Sequence, residues 1–361
     1  MGTYDKRIKK MMRIFHGFRK INIAVFLNNI SDKNLFLKYV YYLIPFLMFG
    51  LNIYNMIASK VLYSKNPGLF TYMADMSNSL GLTALSFISY FLSGYFPKMY
   101  DEFINKGVQD GKELQYEEKK SSLWWILNAL ILFTIGFVAG YTFHATAKAN
   151  VAAYWIYNLS DFGKLFYCLF LGITWYYSLA LLGMALSAGG VIFFSIKAKR
   201  LIYLDDNYNK NFSIVKASDI LMYTFSYGVF YISGAVLFII NDHLAVSKYS
   251  VRNAFASDIN SFWLMLIVTA IVVLAFVPLQ ELFYFMEEKR QVLLIRLNTD
   301  IQNEKVIEKR NEMIVYRNNL FSQGLIFTSF SSRLALILSI IIPLLGVLFQ
   351  AIDILLTAIK Q

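Results

Sequence analysis

Between Lys164 and Lys197 the chain reads LFYCLFLGITWYYSLALLGMALSAGGVIFFSI, residues 165–196, with no charged side chain. At 1.5 Å per residue a helix through it is roughly 50 Å long, well beyond the ~30 Å hydrocarbon core of a bilayer. It predicts a membrane span that continues into the cytoplasm. The rest of the 361 residues share its character: 57% are hydrophobic, 17% aromatic and only 16% charged, with mean hydropathy +0.50. Soluble domains carry about 25% charged residues, so a purely water-soluble enzyme is excluded. The single cysteine, Cys168, cannot form an intrachain disulfide. His16, His144 and His243 belong to different segments, so no metal and no other cofactor is expected.

Six further apolar runs accompany this one, and the predicted spans are 39–59, 79–96, 123–145, 165–196, 219–240, 261–283 and 334–356. The N-terminus carries no secretory signal pattern, because the apolar run near Ile21 to Leu27 is too short. None of the 34 Lys and Arg lies inside a span, and 27 of them fall in the N-terminal segment and the segments after spans 2, 4 and 6. The positive-inside rule makes that side cytoplasmic. The expected fold is an all-α integral membrane protein of the cell (inner) membrane with seven transmembrane helices, N-terminus inside and C-terminus outside. This orientation excludes G-protein-coupled receptors, and the absence of a lysine inside a span excludes a retinal protein. Glu281 and Asp353 stand near span ends, which disfavours an ion-coupled pump.

Four regions follow: a basic N-terminal segment (1–38), a bundle of spans 1–6 with cytoplasmic extensions (39–282), a cytoplasmic helical anchor (283–330), and the last span with a short outer tail (331–361). The first 38 residues carry net charge +7, with Lys6, Arg7, Lys9, Lys10 and Arg13 interleaved with Ile8, Met11, Met12, Ile14 and Phe15. That pattern suits an amphipathic helix lying on anionic lipid, and equally a site for a polyanionic ligand such as an oligonucleotide. In the anchor, Val306, Met313 and Leu320 recur every seven residues, as do Ile307, Ile314 and Phe321. The stripe is expected to pack against the extensions of spans 2, 4 and 6. Arg310 and Arg317 flank it, either solvated and salt-bridged or contributing to an anion site.

The last span carries the functional signal. Ser332, Ser339, Gly346 and Asp353 fall on one helical line, with Leu336, Pro343, Gln350 and Thr357 four residues on from each. Together they form a small or polar face in a helix otherwise built from Leu, Ile, Val and Phe. Such a face must look at protein or water rather than lipid. It is either a packing seam between helices or the lining of an aqueous pore at an oligomer axis. The rise in polarity through Gln350, Asp353 and Thr357 towards the outer mouth favours the pore. Ser339, Pro343, Gly346, Gln350 and Asp353 are then its lining, and Leu336 and Ile340 its apolar gate. A ring of Asp353 side chains would attract cations, and Pro343 and Pro278 can kink their helices. Gly183, Ser187, Gly189 and Gly190 in span 4 are read as sites of close helix packing. No paired acids, HExxH or Ser/His set lies near the spans, so no catalytic residue is assigned.

Long extensions of spans 4 and 6, a cytoplasmic helix, and a last span in which Val347, Leu348, Phe349 and Gln350 approach an aromatic-aliphatic run give a layout that resembles the insect gustatory and odorant receptor channels. Ala351 stands where the gustatory members carry Phe. The resemblance implies a homotetramer whose cytoplasmic helices form an anchor between subunits. Heavy use of Ile, Lys, Asn and Tyr looks like an AT-rich microbial gene, and a bacterial channel of this build is similar to anti-phage membrane effectors of the Hailong type. That second likeness implies control by an oligonucleotide ligand. The expected function is a gated ion channel. The rivals are a secondary transporter, a membrane subunit of a larger complex and an intramembrane lipid enzyme.

Overall fold

The computed structural model describes residues 2–31, 34–58, 69–111, 126–127, 129–138, 161–202, 211–249 and 258–322, together with Leu334, Ile337 and Ile341. Among these the chain is all-α, and its one β feature is an isolated bridge between Val108 and Leu201. The helices are α1 (Thr3–Ile21), α2 (Ile23–Ser31), α3 (Leu35–Ala58), α4 (Leu69–Gly107), α5 (Ala129–Val138), α6 (Asp161–Lys197), α7 (Phe212–Tyr249), α8 (Asp258–Asn303) and α9 (Ile307–Ser322). Helix α6 is long and apolar enough to cross a membrane, and α5 and the first half of α3, Leu35–Leu47, are shorter apolar helices. Helices α4, α7 and α8 run through the predicted spans 79–96, 219–240 and 261–283.

Asparagines punctuate the N-terminal third. Asn22 ends α1, its N–H donating to Arg19 O (3.3 Å), and begins α2, its Oδ1 accepting the Ala24 N–H (3.0 Å). Its Nδ2 donates to Ser93 Oγ of α4 (2.9 Å), so one buried side chain caps one helix and pins the junction to the bundle. Asn34 starts α3 in the same way, accepting the Phe36 N–H at 2.9 Å.

Helix α1 does not present its apolar face to lipid. Ile8, Met12 and Phe15 are fully buried against α4 and α6, each worth roughly 2 kcal/mol of burial. Phe15 stacks on Tyr100 with ring centroids 3.8 Å apart. Met11 covers Gly190 and Phe18 covers Gly183: the seven-residue step on one helix meets the seven-residue step on the other, in opposite chain directions. Adjacent Gly189 faces the other side, towards Pro278 of α8 and Leu221 of α7. Helix α1 therefore runs antiparallel along α6 from about residue 183 to residue 200. If α6 crosses a bilayer, α1 stands along the membrane normal, and the expected interfacial pose is not the one adopted.

The packing expected for residues 303–323 is met in part, against the extension of span 6. Helix α9 folds back on the end of α8, where Leu294 and Leu320 are buried with Leu293, Leu297 and Tyr316 around them. The extensions of spans 2 and 4 are covered by α1 instead, because the glycines of α6 offer it sockets that admit bulky side chains. Helix α8 contributes Leu279, Leu282 and Met286 to the main core. Beyond Met286 its buried residues, Leu294 and Ile301, lie in the hairpin segment formed with α9.

Candidate functional site

The pore residues read from the sequence, Ser339, Pro343, Gly346, Gln350 and Asp353, and the gate residues Leu336 and Ile340, lie outside the described residues. Within that segment Leu334, Ile337 and Ile341 are helical and exposed.

Five short ion pairs gather at the helix ends that the charge pattern assigns to the cytoplasm. Arg200, just past α6, holds Asp5 of α1 through two parallel bonds (Nε to Oδ1 2.8 Å, Nη2 to Oδ2 3.2 Å) and reaches Asp110 Oδ2 at 3.1 Å. At the other end of α1, Arg19 Nη1 donates to both oxygens of Asp101 on α4 (2.9 and 2.8 Å). Lys216 at the start of α7 pairs with Glu102 of α4 at 2.8 Å, and Lys197 of α6 pairs with Glu281 of α8. The collar joins α1, α4, α6, α7 and α8 along the length of α1 from Asp5 to Arg19, about 21 Å.

Backbone geometry fixes Arg200 in place. Lys199 adopts a left-handed φ of 56°, the Lys199 N–H donates to Ile196 O and the Arg200 N–H to Ser195 O, both at 2.9 Å. This double bond closes the end of α6 in a Schellman motif. The Gln109 N–H then donates to Arg200 O (2.7 Å) and the Ile202 N–H to Gly107 O (2.9 Å), tying the end of α6 to the end of α4. The bond to Arg200 holds the Asp5 carboxyl below the usual carboxylate range, and Lys216 does the same for Glu102. Glu102 in turn raises Lys216, and complete burial pushes the Tyr100 phenol up.

The sequence-predicted anion residues divide. On α1, Lys6, Arg7, Lys10 and Arg13 are exposed and Lys9 half-buried, along the face opposite the core. Among the described residues Lys6, Lys9 and Lys10 have no ion-pair partner, whereas the Arg7 guanidinium lies over the Phe194 ring at 5.5 Å. Arg317 is a clip within the hairpin, donating to Asn298 Oδ1 at 3.2 Å, while Arg310 is exposed. The two groups sit on different parts of the fold and do not form one site.

Deeper in the bundle, Ser89 Oγ lies 2.5 Å from Tyr227 Oη and 3.1 Å from Ser178 Oγ, joining α4, α7 and α6 through side-chain hydroxyls. Sequence reading missed this junction, the double role of Asn22, and Asp219, which is buried in α7. Isolated Ser and Asn in apolar runs give no partner until the helices are placed. The glycine sockets were partly legible: the spacing of Gly183 and Gly190 matches that of Met11 and Phe18. Among the described residues no group of three His, Cys, Asp or Glu is arranged to hold a metal. Comparison with known proteins adds no relative: no family model, no curated protein and no solved structure matches the chain.

Proposed function

We propose that the chain is one subunit of a gated ion channel of the cell membrane, a homotetramer of seven-span subunits whose last span lines the pore. The observation that carries this is the small and polar line Ser339, Pro343, Gly346, Gln350 and Asp353 in an otherwise apolar span. Leu334, Ile337 and Ile341 support it: they are exposed, and at 100° per residue they share one face while the polar line falls on the other. An apolar face towards lipid and a polar face towards an axis is the division a pore helix needs.

The α8–α9 hairpin supports the oligomer. Val292, Ile295, Val306, Ile307 and Val315 are each at least half exposed there, on a segment whose polar residues place it in water. An apolar surface in water marks a contact with another chain. Subunits meeting through this hairpin form the anchor, and movement of the collar reaches it through α8. The exposed basic row of α1 is then the surface through which a cytoplasmic polyanion such as an oligonucleotide acts on the collar.

The test is ion flux through purified protein in liposomes. Wild type and Gln350→Ala should differ in selectivity, and Leu336→Ala should raise resting flux by widening the apolar constriction. No flux from any correctly inserted variant would overturn the channel, and the polar line would then be a packing seam. The same hairpin also fits a membrane subunit of a larger complex, and a monodisperse tetramer of the purified chain alone would exclude that reading.

A further inference from the structure

The junction of α2, α3 and α4 carries a pattern that fits lipid better than the basic row of α1. Contacts fix the relative depth of the three helices. Asn28 Nδ2 donates to Gly94 O (2.8 Å), Asn22 bonds Ser93, Tyr42 stacks on Phe91 at 5.8 Å and Phe46 meets Phe87 edge-on at 5.0 Å. Lys38 lies one turn before Tyr42, Lys98 one turn after Gly94, and Lys20 two residues before Asn22. All three therefore sit within about a turn, ~5 Å, of one layer.

On the side of this layer away from Arg200, α3 is a wall of exposed apolar and aromatic side chains. Tyr39 is 67% exposed, and Leu43, Phe46, Leu47, Leu51 and Tyr54 continue the wall, while Leu35 and Phe36 before Lys38 lie level with the lysines. Ile23 and Phe26 of α2 extend it sideways. Cations in one layer above an exposed aromatic and aliphatic wall match the charge and polarity profile of a cytoplasmic leaflet.

We propose that this elbow is a docking site for an anionic phospholipid of the inner leaflet. Its phosphate sits between Lys20, Lys38 and Lys98, and its acyl chains lie along Tyr39, Leu43, Phe46 and Leu47. The site rests on the membrane reading made above and moves the lipid contact away from Lys6 to Arg13, which run along α6 into the cytoplasm.

The experiment is thermal unfolding of the purified full chain in detergent, titrated with dioleoylphosphatidylglycerol or with dioleoylphosphatidylcholine. Wild type and the control Lys6→Gln/Lys10→Gln should be stabilised by phosphatidylglycerol over phosphatidylcholine. The triple variant Lys20→Gln/Lys38→Gln/Lys98→Gln should need more phosphatidylglycerol, about fivefold per lysine and on the order of 100-fold in all. A triple variant that responds like wild type overturns the site. A control that loses the preference also overturns it, placing the anion on α1. Release of the wild-type chain from membranes by alkaline carbonate would instead defeat the membrane reading itself, whatever the lipid titration shows.

Discussion

Gly183→Ala should loosen α1 from the bundle, and Phe18 should decide by how much. A Cβ at position 183 would lie 2.4 to 2.6 Å from three ring carbons of Phe18. Ordinary contact begins near 3.4 Å, so the ring must retreat by about 1 Å. Helix α1 cannot follow as a body, because Asp5–Arg200 holds one end and Arg19–Asp101 the other. Overpacking of this kind costs about 1–3 kcal/mol. Phe18→Ala alone leaves a void beside Gly183, and the two changes together let the new methyl group occupy part of it. A double-mutant cycle on unfolding in detergent should therefore show a favourable coupling of about 1 kcal/mol or more. Hydrogen exchange over residues 3–21 should report the same order: fastest in Gly183→Ala, slower in the double variant. Full protection of α1 in Gly183→Ala, with no coupling to Phe18, would refute the antiparallel docking of α1 on α6.

Other outcomes follow from the same contacts. Asn22→Leu should cost about 1–3 kcal/mol and expose residues 3–31 to exchange, since it removes a cap and leaves Ser93 without its donor. The carboxyls of Asp5 and Glu102 sit below their ordinary values of 3.8 and 4.5. Their contribution to holding the collar is present above those values and lost as pH falls through the lower folded-state ones. The raised Lys216 contributes below its ordinary 10.5 and loses that contribution as pH climbs through its higher folded value. Protection of α1 and of the start of α7, taken relative to the intrinsic base-catalysed exchange rate, should therefore be flat from about pH 5 to 10 and fall on either side. Arg200→Gln should remove the Asp5 part of the acid limb and leave the Glu102 part. Leu320→Asp should open the α8–α9 hairpin and lower the oligomer mass seen by light scattering, while residues 3–21 stay protected.

Helix periodicity and run length made most of the helices readable, as at 165–196. The partners of those helices were less readable. The basic and apolar faces of α1 were plain in Lys6, Lys10 and Arg13 against Ile8, Met12 and Phe15. Whether lipid or protein covers the apolar face is a tertiary question, answered by two glycines more than 160 residues away. The heptads of α9 likewise announced a partner without naming it, and most of the stripe that a lone chain leaves bare, Val306 and Ile307, is what an oligomer would cover. Capping and bridging by Asn22 could not be foreseen, since Asn inside an apolar region reads as an interhelical bonder of unknown address. The polar line of the last span remains a reading of residue pattern.

The most direct test of that line is substituted-cysteine accessibility. Native Cys168 is buried and should stay silent towards a membrane-impermeant thiol reagent until the protein unfolds. Cysteines placed one at a time at Ser339, Gly346, Gln350 and Asp353, and at Leu334, Ile337 and Ile341 on the opposite face, should separate into two classes in flux recordings from liposomes. The account predicts block by the reagent at the first four and none at the last three. Equal block on both faces, or block at neither in a protein that conducts, would contradict a pore lined by the last span.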